Sequence, residues 1–389
     1  MRSRPTATET RIAPAERGLP PAVAIILLPL VVALLTGMLS GLVRLGVEVP
    51  AFTRFLAVNH GALMVSGVVG TVIGLERSVA MGKPLAYAGP LLSAAGAVAL
   101  VFAPSSQVGP ALFVASGAAV VLLFLAFLRR QFGTPLAVMT VGVTCWFAGN
   151  VVWLADGWVP RNVVPWWIAF LALTIAGERL ELARFLRLGW LARVLLWGAV
   201  VALIATPLLA PLAPEGLGLR VVGGAVVVFG VWLAWNDTAR RTYRRGGVAS
   251  YAGVALLACY FWLTVSGVAL VAWALGAGLR YDTTLHAFFL GFVFGAIFAH
   301  APIILPAVTR KTVRFTPLFW VSIAALHGSL VVRLGGNILE AHEVRRVGGE
   351  LNVLAVLLLG AAIVTGLVLG ARERRQSVTR AAARATAPE

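Results

Sequence analysis

Thr284–Arg310 reads TLHAFFLGFVFGAIFAHAPIILPAVTR, and the rest of the chain is understood from it. It is apolar for more than twenty residues, long enough to cross a bilayer as one helix. Yet it carries His286, His300, Pro302 and Pro306. Polar rings inside a lipid-crossing helix are expensive and mark function by default. Fourteen residues separate the two histidines. At ~1.5 Å rise and ~100° per residue, that puts the rings ~21 Å apart along the axis and ~40° apart around it. They are expected to share one face at two depths, each in a separate site.

The composition extends this to the whole chain. Of 389 residues, 60% are hydrophobic and 12% charged, and the mean hydropathy is +0.91. This is the composition of an all-α polytopic membrane protein. About twelve hydrophobic spans can be counted. Residues 1–19 are expected to form a cytoplasmic tail, 20–371 a transmembrane helical domain and 372–389 a basic cytoplasmic tail. The apolar run Pro20–Leu45 is too long for a cleaved signal and reads as a retained first helix.

The net charge of +17 does not point to nucleic acid. With the N-terminus inside, the inner segments hold 24 of the 32 Lys and Arg, the positive-inside bias of a chain with both termini cytoplasmic. A bacterial-type inner (plasma) membrane is the expected location, with the lipid bilayer as partner and no nucleic acid. The runs Arg240/Arg241/Arg244/Arg245 and Arg372/Arg374/Arg375 read as anchors at anionic headgroups. Cys145 and Cys259 each fall inside a span, which excludes a disulfide framework and favours small core filler.

The second span, AVNHGALMVSGVVGTVIGLERSVAM, begins at about Ala57 and places His60 in its first turn. Gly67, Gly70 and Gly74 serve close helix packing or leave room for a flat macrocycle. The span ends in Glu76-Arg77, and the sixth ends similarly in Gly177-Glu178-Arg179. The tenth closes with Arg310, Lys311 and Arg314, so three blocks of four helices are conceivable. Glu76 and Glu178 are interfacial ion pairs or proton-relay candidates. Asn236-Asp237 is expected near an interface, within reach of water. Trp153, Trp158, Trp166 and Trp167 flank one connection as an aromatic belt would, or as a stacking platform.

The eleventh span, about Phe315–Gly335, carries His327. The stretch after it, GGNILEAHEVRRVGGE, reads as the longest and most charged outer loop, with His342 as a solvated side chain, a lid residue or a surface metal ligand. Topology then sorts the histidines by depth. His60 and His286 share the outer level, each in a first turn, while His300 and His327 fall within ~6 Å of each other in depth, counted at ~1.5 Å per residue. Neutral imidazole is the commonest side-chain ligand for iron, copper and zinc, and two imidazoles on opposite faces of a haem make a low-spin b-type site. Alternatively, each ring hydrogen-bonds a neighbouring carbonyl.

Asn59-His60-Gly61-Ala62-Leu63-Met64 resembles the His-Gly-x-x-Met pattern on the second helix of haem–copper oxidase catalytic subunits. Phe298-Ala299-His300-Ala301-Pro302 through Pro306 resembles, more distantly, their His-Pro…Leu-Pro copper segment. The whole pattern is closer to the NnrS-like membrane proteins: twelve helices, a second-helix histidine, and a late His-Ala-x-x-x-Gly helix followed by a basic turn. The chain lacks the His-His pair and the late His-x-His of the oxidases. The resemblance therefore implies haem binding, with an association with nitric oxide, rather than full oxidase ligation.

The expected function is a haem-binding, or haem–copper, inner-membrane redox or nitric-oxide-handling protein, an oxidoreductase if it is an enzyme. Haem b would sit on His60, His286, His300 and His327, with copper as an alternative occupant of His300 and His327 and His342 as a further metal ligand. Its partners would be an electron donor, such as a quinol or a soluble carrier, or a gas ligand. The alternative is a secondary transporter, with a path at a helix broken by Pro302 and Pro306 and a histidine/glutamate proton relay.

Overall fold

A computed structural model describes residues 21–49, 57–182, 188–209 and 216–385. The expected tail 1–19 and residues 386–389 lie outside them. Among the described residues the structure is helical, without strands, and twelve helices are long and apolar enough to cross a membrane. They are α1 Pro21–Arg44, α2 Ala57–Met81, α3 Pro84–Phe102, α4 Val108–Arg130, α5 Thr134–Asp156 and α6 Pro160–Leu182. The second half contains α7 Trp190–Leu208, α8 Leu217–Thr242, α9 Gly247–Trp273, α10 Gly278–Thr309, α11 Pro317–Ile338 and α12 His342–Arg380. The chain is an all-α polytopic membrane protein.

Local chemistry sets many of the ends. Pro21, Pro84, Pro135, Pro160 and Pro317 stand in first turns, where the missing N–H was unpaired anyway. Gly82 closes α2 in the left-handed conformation, φ 67°, which it adopts without a side-chain penalty. Sequence neighbours pack side by side, α3 on α4, α4 on α5, α5 on α6, α8 on α9 and α11 on α12. The centre belongs to α6. In its most apolar window 94% of residues are buried, against 22% for α7 and 28% for α1. Those outer helices show Leu28, Val194 and Val201 to the surroundings, as lipid-facing helices do.

Three boundaries differ from the sequence reading. α10 begins at Gly278, so His286 lies two turns inside it rather than in a first turn. The polar start GLRYDTTLH is helical because its acid, Asp282, is paired with Arg333 of α11. Second, α10 is not broken. Pro302 and Pro306 lie within continuous α-helix, Gly295–Thr309.

Third, GGNILEAHEVRRVGGE is not a long loop. α11 runs to Ile338, and a helix restarts at His342 and continues to Ala385. Gly336 and Gly348 are contact points between the two helices. A Cβ on Gly336 would meet the backbone N of Arg345, and one on Gly348 would lie 2.5 Å from Cα of Arg333, the small-residue approach of membrane helices. Those 44 residues reach roughly 66 Å, about twice a hydrocarbon core of ~30 Å. Residues 372–385 of the expected basic tail therefore continue as helix, pinned by a 2.6 Å Arg314–Glu373 ion pair.

Candidate functional site

His60 of α2 and His286 of α10 come together. Their ring centres are 6.2 Å apart with planes 20° from parallel. Nδ1 of His60 lies 2.7 Å from the carbonyl oxygen of Gly37, and Nδ1 of His286 lies 2.9 Å from that of Asp282. A carbonyl only accepts, so each neutral ring carries its proton on Nδ1 and leaves the Nε2 lone pair free. This is the tautomer of a metal-ligating histidine, oriented through its other nitrogen. Two imidazoles sharing one metal ion place their centres roughly 6.3 Å apart, given metal–nitrogen bonds of about 2.0–2.1 Å and about 1.1 Å from nitrogen to ring centre. The observed span matches.

The helices prepare this position. Both carry an eight-residue π-helical stretch just beyond the histidine, Leu63–Gly70 in α2 and Ala287–Phe294 in α10. Such stretches recur at functional sites. α1 supplies the groove. A Cβ on Gly41 would lie 2.9 Å from Cε1 of His60, and one on Gly37 would lie 2.5 Å from the Met64 sulfur. Glycine at both positions lets the ring and the thioether lie against the α1 backbone. This Gly-x-x-x-Gly pair is visible as GMLSG but carries no distinguishing signal in an apolar first helix. Gly67, Gly70 and Gly74, the glycines expected to matter, pack on Ala97, Trp146 and Pro90. Close packing is their role.

Two cavities meet at the pair. One of about 700 Å³ is bounded by α2, α6, α10 and the start of α12, with Arg44, His342 and Arg345 among its polar wall. The other, about 80 Å³, lies toward α1 and α12. His60, Met64, His286 and Phe289 line both. The larger volume is within the roughly 300–1,000 Å³ of cofactor pockets. Trp158 and Trp167 form part of its wall, and Trp153 packs edge-on to both. These rings therefore face the interior rather than forming a belt alone. Trp166 belongs to the α5–α6 contact, its Cβ close to Gly149.

Asp282, which the sequence reading did not single out, ties the site to its surroundings. Its carboxylate accepts from Nε and Nη2 of Arg333 at 3.0 and 2.6 Å and from Nδ2 of Asn337 at 2.8 Å. The same carboxylate lies 3.2 Å from Nδ1 of His286. Arg345 stands 3.8 Å away across the ion pair. The pair is buried, so each charge is retained through its partner and its hydrogen bonds. The available signal was Asp282 and Arg333 at one depth in two otherwise apolar helices.

His300 and His327 are not brought together, a correction to the expected mid-membrane pair. His300 donates from Nδ1 to the carbonyl of Ala296 at 2.8 Å, and its Nε2 accepts from Arg179 Nη1 at 3.2 Å. A guanidinium thus occupies the lone pair a metal would need. Arg179 itself is held by Asp237 at 2.6 and 2.7 Å, and Tyr260 donates to the same carboxylate at 2.7 Å. Asp237 is therefore buried and paired, not at a watery interface. His327 accepts from Trp262 Nε1 at Nδ1, 3.0 Å, which puts its proton on the partnerless Nε2. Neither nitrogen presents a lone pair. No ring contact or hydrogen bond joins the two histidines among the described residues.

The remaining candidates divide. His342 starts α12 and lines the large cavity. Glu178 pairs with Arg77 at 3.1 Å and shares a third, inner cavity with Glu76 and His300. Cys145 and Cys259 are buried and free. Among the described residues no group of three or more His, Cys, Asp or Glu is placed to hold a metal ion. A bare ion needing four protein ligands does not fit two imidazoles. A metal that brings its other donors with it would need only these two imidazoles.

No curated protein and no solved structure matches the chain. A family profile described as a domain of unknown function, DUF8744, matches residues 23–368. That is most of the 389 residues, and the chain belongs to the DUF8744 family.

Proposed function

We propose that this protein is a haem-binding membrane redox protein in which His60 and His286 would hold one b-type haem. The observation that carries the reading is the spacing of the two rings, 6.2 Å between centres, with both Nδ1 atoms held by carbonyls where two cavities join. When bound, haem supplies a one-electron couple inside the membrane. The chain's own residues orient and insulate it. The carbonyls of Gly37 and Asp282 fix the ring tautomers, and the Asp282–Arg333 pair locks α10 against α11. Met64, Phe289, Leu290 and Phe294 exclude water, while Arg44, Arg345 and His342 offer a polar wall to anionic groups. Kinship with the NnrS-like proteins, handling of nitric oxide, an inner-membrane location and both termini in the cytoplasm are parts of the same proposal. The excess of basic residues on one set of connections supports the orientation.

The test is a reduced-minus-oxidised absorption spectrum of the detergent-solubilised protein from haem-sufficient cells, compared with His60→Ala and His286→Ala. A six-coordinate b-type spectrum lost in both variants is expected. A colourless wild-type protein, or a spectrum unchanged in both variants, overturns the reading. A colourless protein that binds a polar solute would favour the secondary transporter with a histidine/glutamate relay.

A further inference from the structure

We propose that the inner cavity between α2, α6, α10 and α12 binds the single-ring head group of a quinol, a lipid-soluble dihydroxyaromatic, with Glu76 and Glu178 accepting from its hydroxyls. The cavity measures about 210 Å³, and its walls are aliphatic, among them Val72, Ile73, Ile297 and Leu359. A cavity of about 150 Å³ holds one benzene, so this one takes a single substituted ring.

The polar groups select the chemistry. No hydrogen bond or ion pair ties Glu76 to another described residue, and only Oε1 of Glu178 is engaged, by Arg77 at 3.1 Å. Thr174 lines the same cavity, fully buried with its hydroxyl unpartnered. Unengaged carboxyl oxygens on an apolar wall, on Glu76 and at Oε2 of Glu178, call for a ligand that donates hydrogen bonds. A cationic donor is disfavoured, because Arg77 stands against Glu178 and Arg179 against His300. A neutral donor with apolar faces remains, and ring hydroxyls meet both requirements. His300 has both nitrogens engaged within the protein and acts as wall.

Val69 and Val293 line the end nearest the histidine pair. They follow His60 and His286 by nine and seven residues, roughly 14 and 11 Å along the helices. Ring binding stands on this cavity alone. Only the use of the ring as an electron donor rests on the haem reading.

The experiment measures anaerobic binding of decylubiquinol, decylubiquinone and decan-1-ol to the full-length protein in detergent, by equilibrium dialysis. The quinol donates two hydrogen bonds and the quinone none, so the quinol should bind at least tenfold more tightly, with decanol weakest. Glu76→Gln, which keeps the side chain's size and breaks no hydrogen bond or ion pair to another described residue, should erase most of that preference. Ile297→Trp, which fills the cavity, should remove binding of both rings. Equal binding of quinol and decanol would identify an acyl-chain pocket and overturn the proposal. So would unchanged quinol affinity in both variants. His60→Ala should lose the haem spectrum and keep quinol binding, so a failure of the haem assignment and a failure of this one are read separately.

Discussion

Gly41→Ala is the sharpest test of the histidine pair, because it perturbs a ligand without touching it chemically. The new Cβ would lie 2.9 Å from Cε1 and 3.2 Å from Nδ1 of His60. Ordinary carbon contacts need roughly 3.5–4.0 Å, so the ring must retreat by about 0.5–1 Å. Retreat strains the 2.7 Å bond from Nδ1 to the Gly37 carbonyl and changes the 6.2 Å spacing of the two rings. Binding constellations tolerate about 0.5 Å, and disturbing the partner that orients a metal-bound histidine typically costs 10–100-fold in affinity. The expected loss of haem affinity is therefore about 1.4–2.8 kcal/mol. The assay is a haem titration of protein from haem-depleted cells, followed by the growth of the bound-haem absorption band. Gly198→Ala is the control, since nothing lies within 4 Å of its Cβ position. Unchanged haem affinity in a folded Gly41→Ala protein would refute the reasoning.

Four further outcomes are expected. His300→Gln and His327→Phe keep the visible spectrum that His60→Ala loses, because their lone pairs are already engaged or protonated within the protein; loss of colour in either would restore an inner metal site. Asp282→Asn leaves Arg333 buried without its counter-charge and destabilises by about 3–5 kcal/mol. Asp282→Asn/Arg333→Gln should recover part of that loss, and a double variant no more stable than the single would contradict the pairing. Gly348→Ala forces α11 from α12 and lowers the apparent Tm in detergent. Gly360→Ala, with open space around it, does not, and equal Tm values would argue against the close approach. Elemental analysis should find iron without copper, and a chelator should not remove the colour; stoichiometric copper would assign the site differently.

Much of this was legible in the residues. Lipid offers no hydrogen bonds to a backbone, so long apolar runs must be helices and hydropathy alone yields twelve. Counting along alternating helices put His60 and His286 at one end of the membrane, and the structure brings them together. The same counting put His300 and His327 within ~6 Å of each other in depth, yet the two rings take different partners. Depth restricts one coordinate only. Rotation about each helix and the choice of neighbour are settled by packing among helices distant in sequence. The expected loop around His342 failed for a related reason: Gly336 and Gly348 resemble loop residues until a facing helix shows that they are contact points.

The sequence by itself determined that the chain lives in a bilayer and how many times it can cross, because burial of apolar residues and helix rise act locally. The tertiary structure alone decided which imidazoles keep a free lone pair. That depends on what meets each ring nitrogen: carbonyls at Gly37 and Asp282 for one pair, the guanidinium of Arg179 and the indole of Trp262 for the other two. A nitrogen's capacity to bind is set by its neighbour, and no neighbour across the bundle is written in the order of residues along the chain.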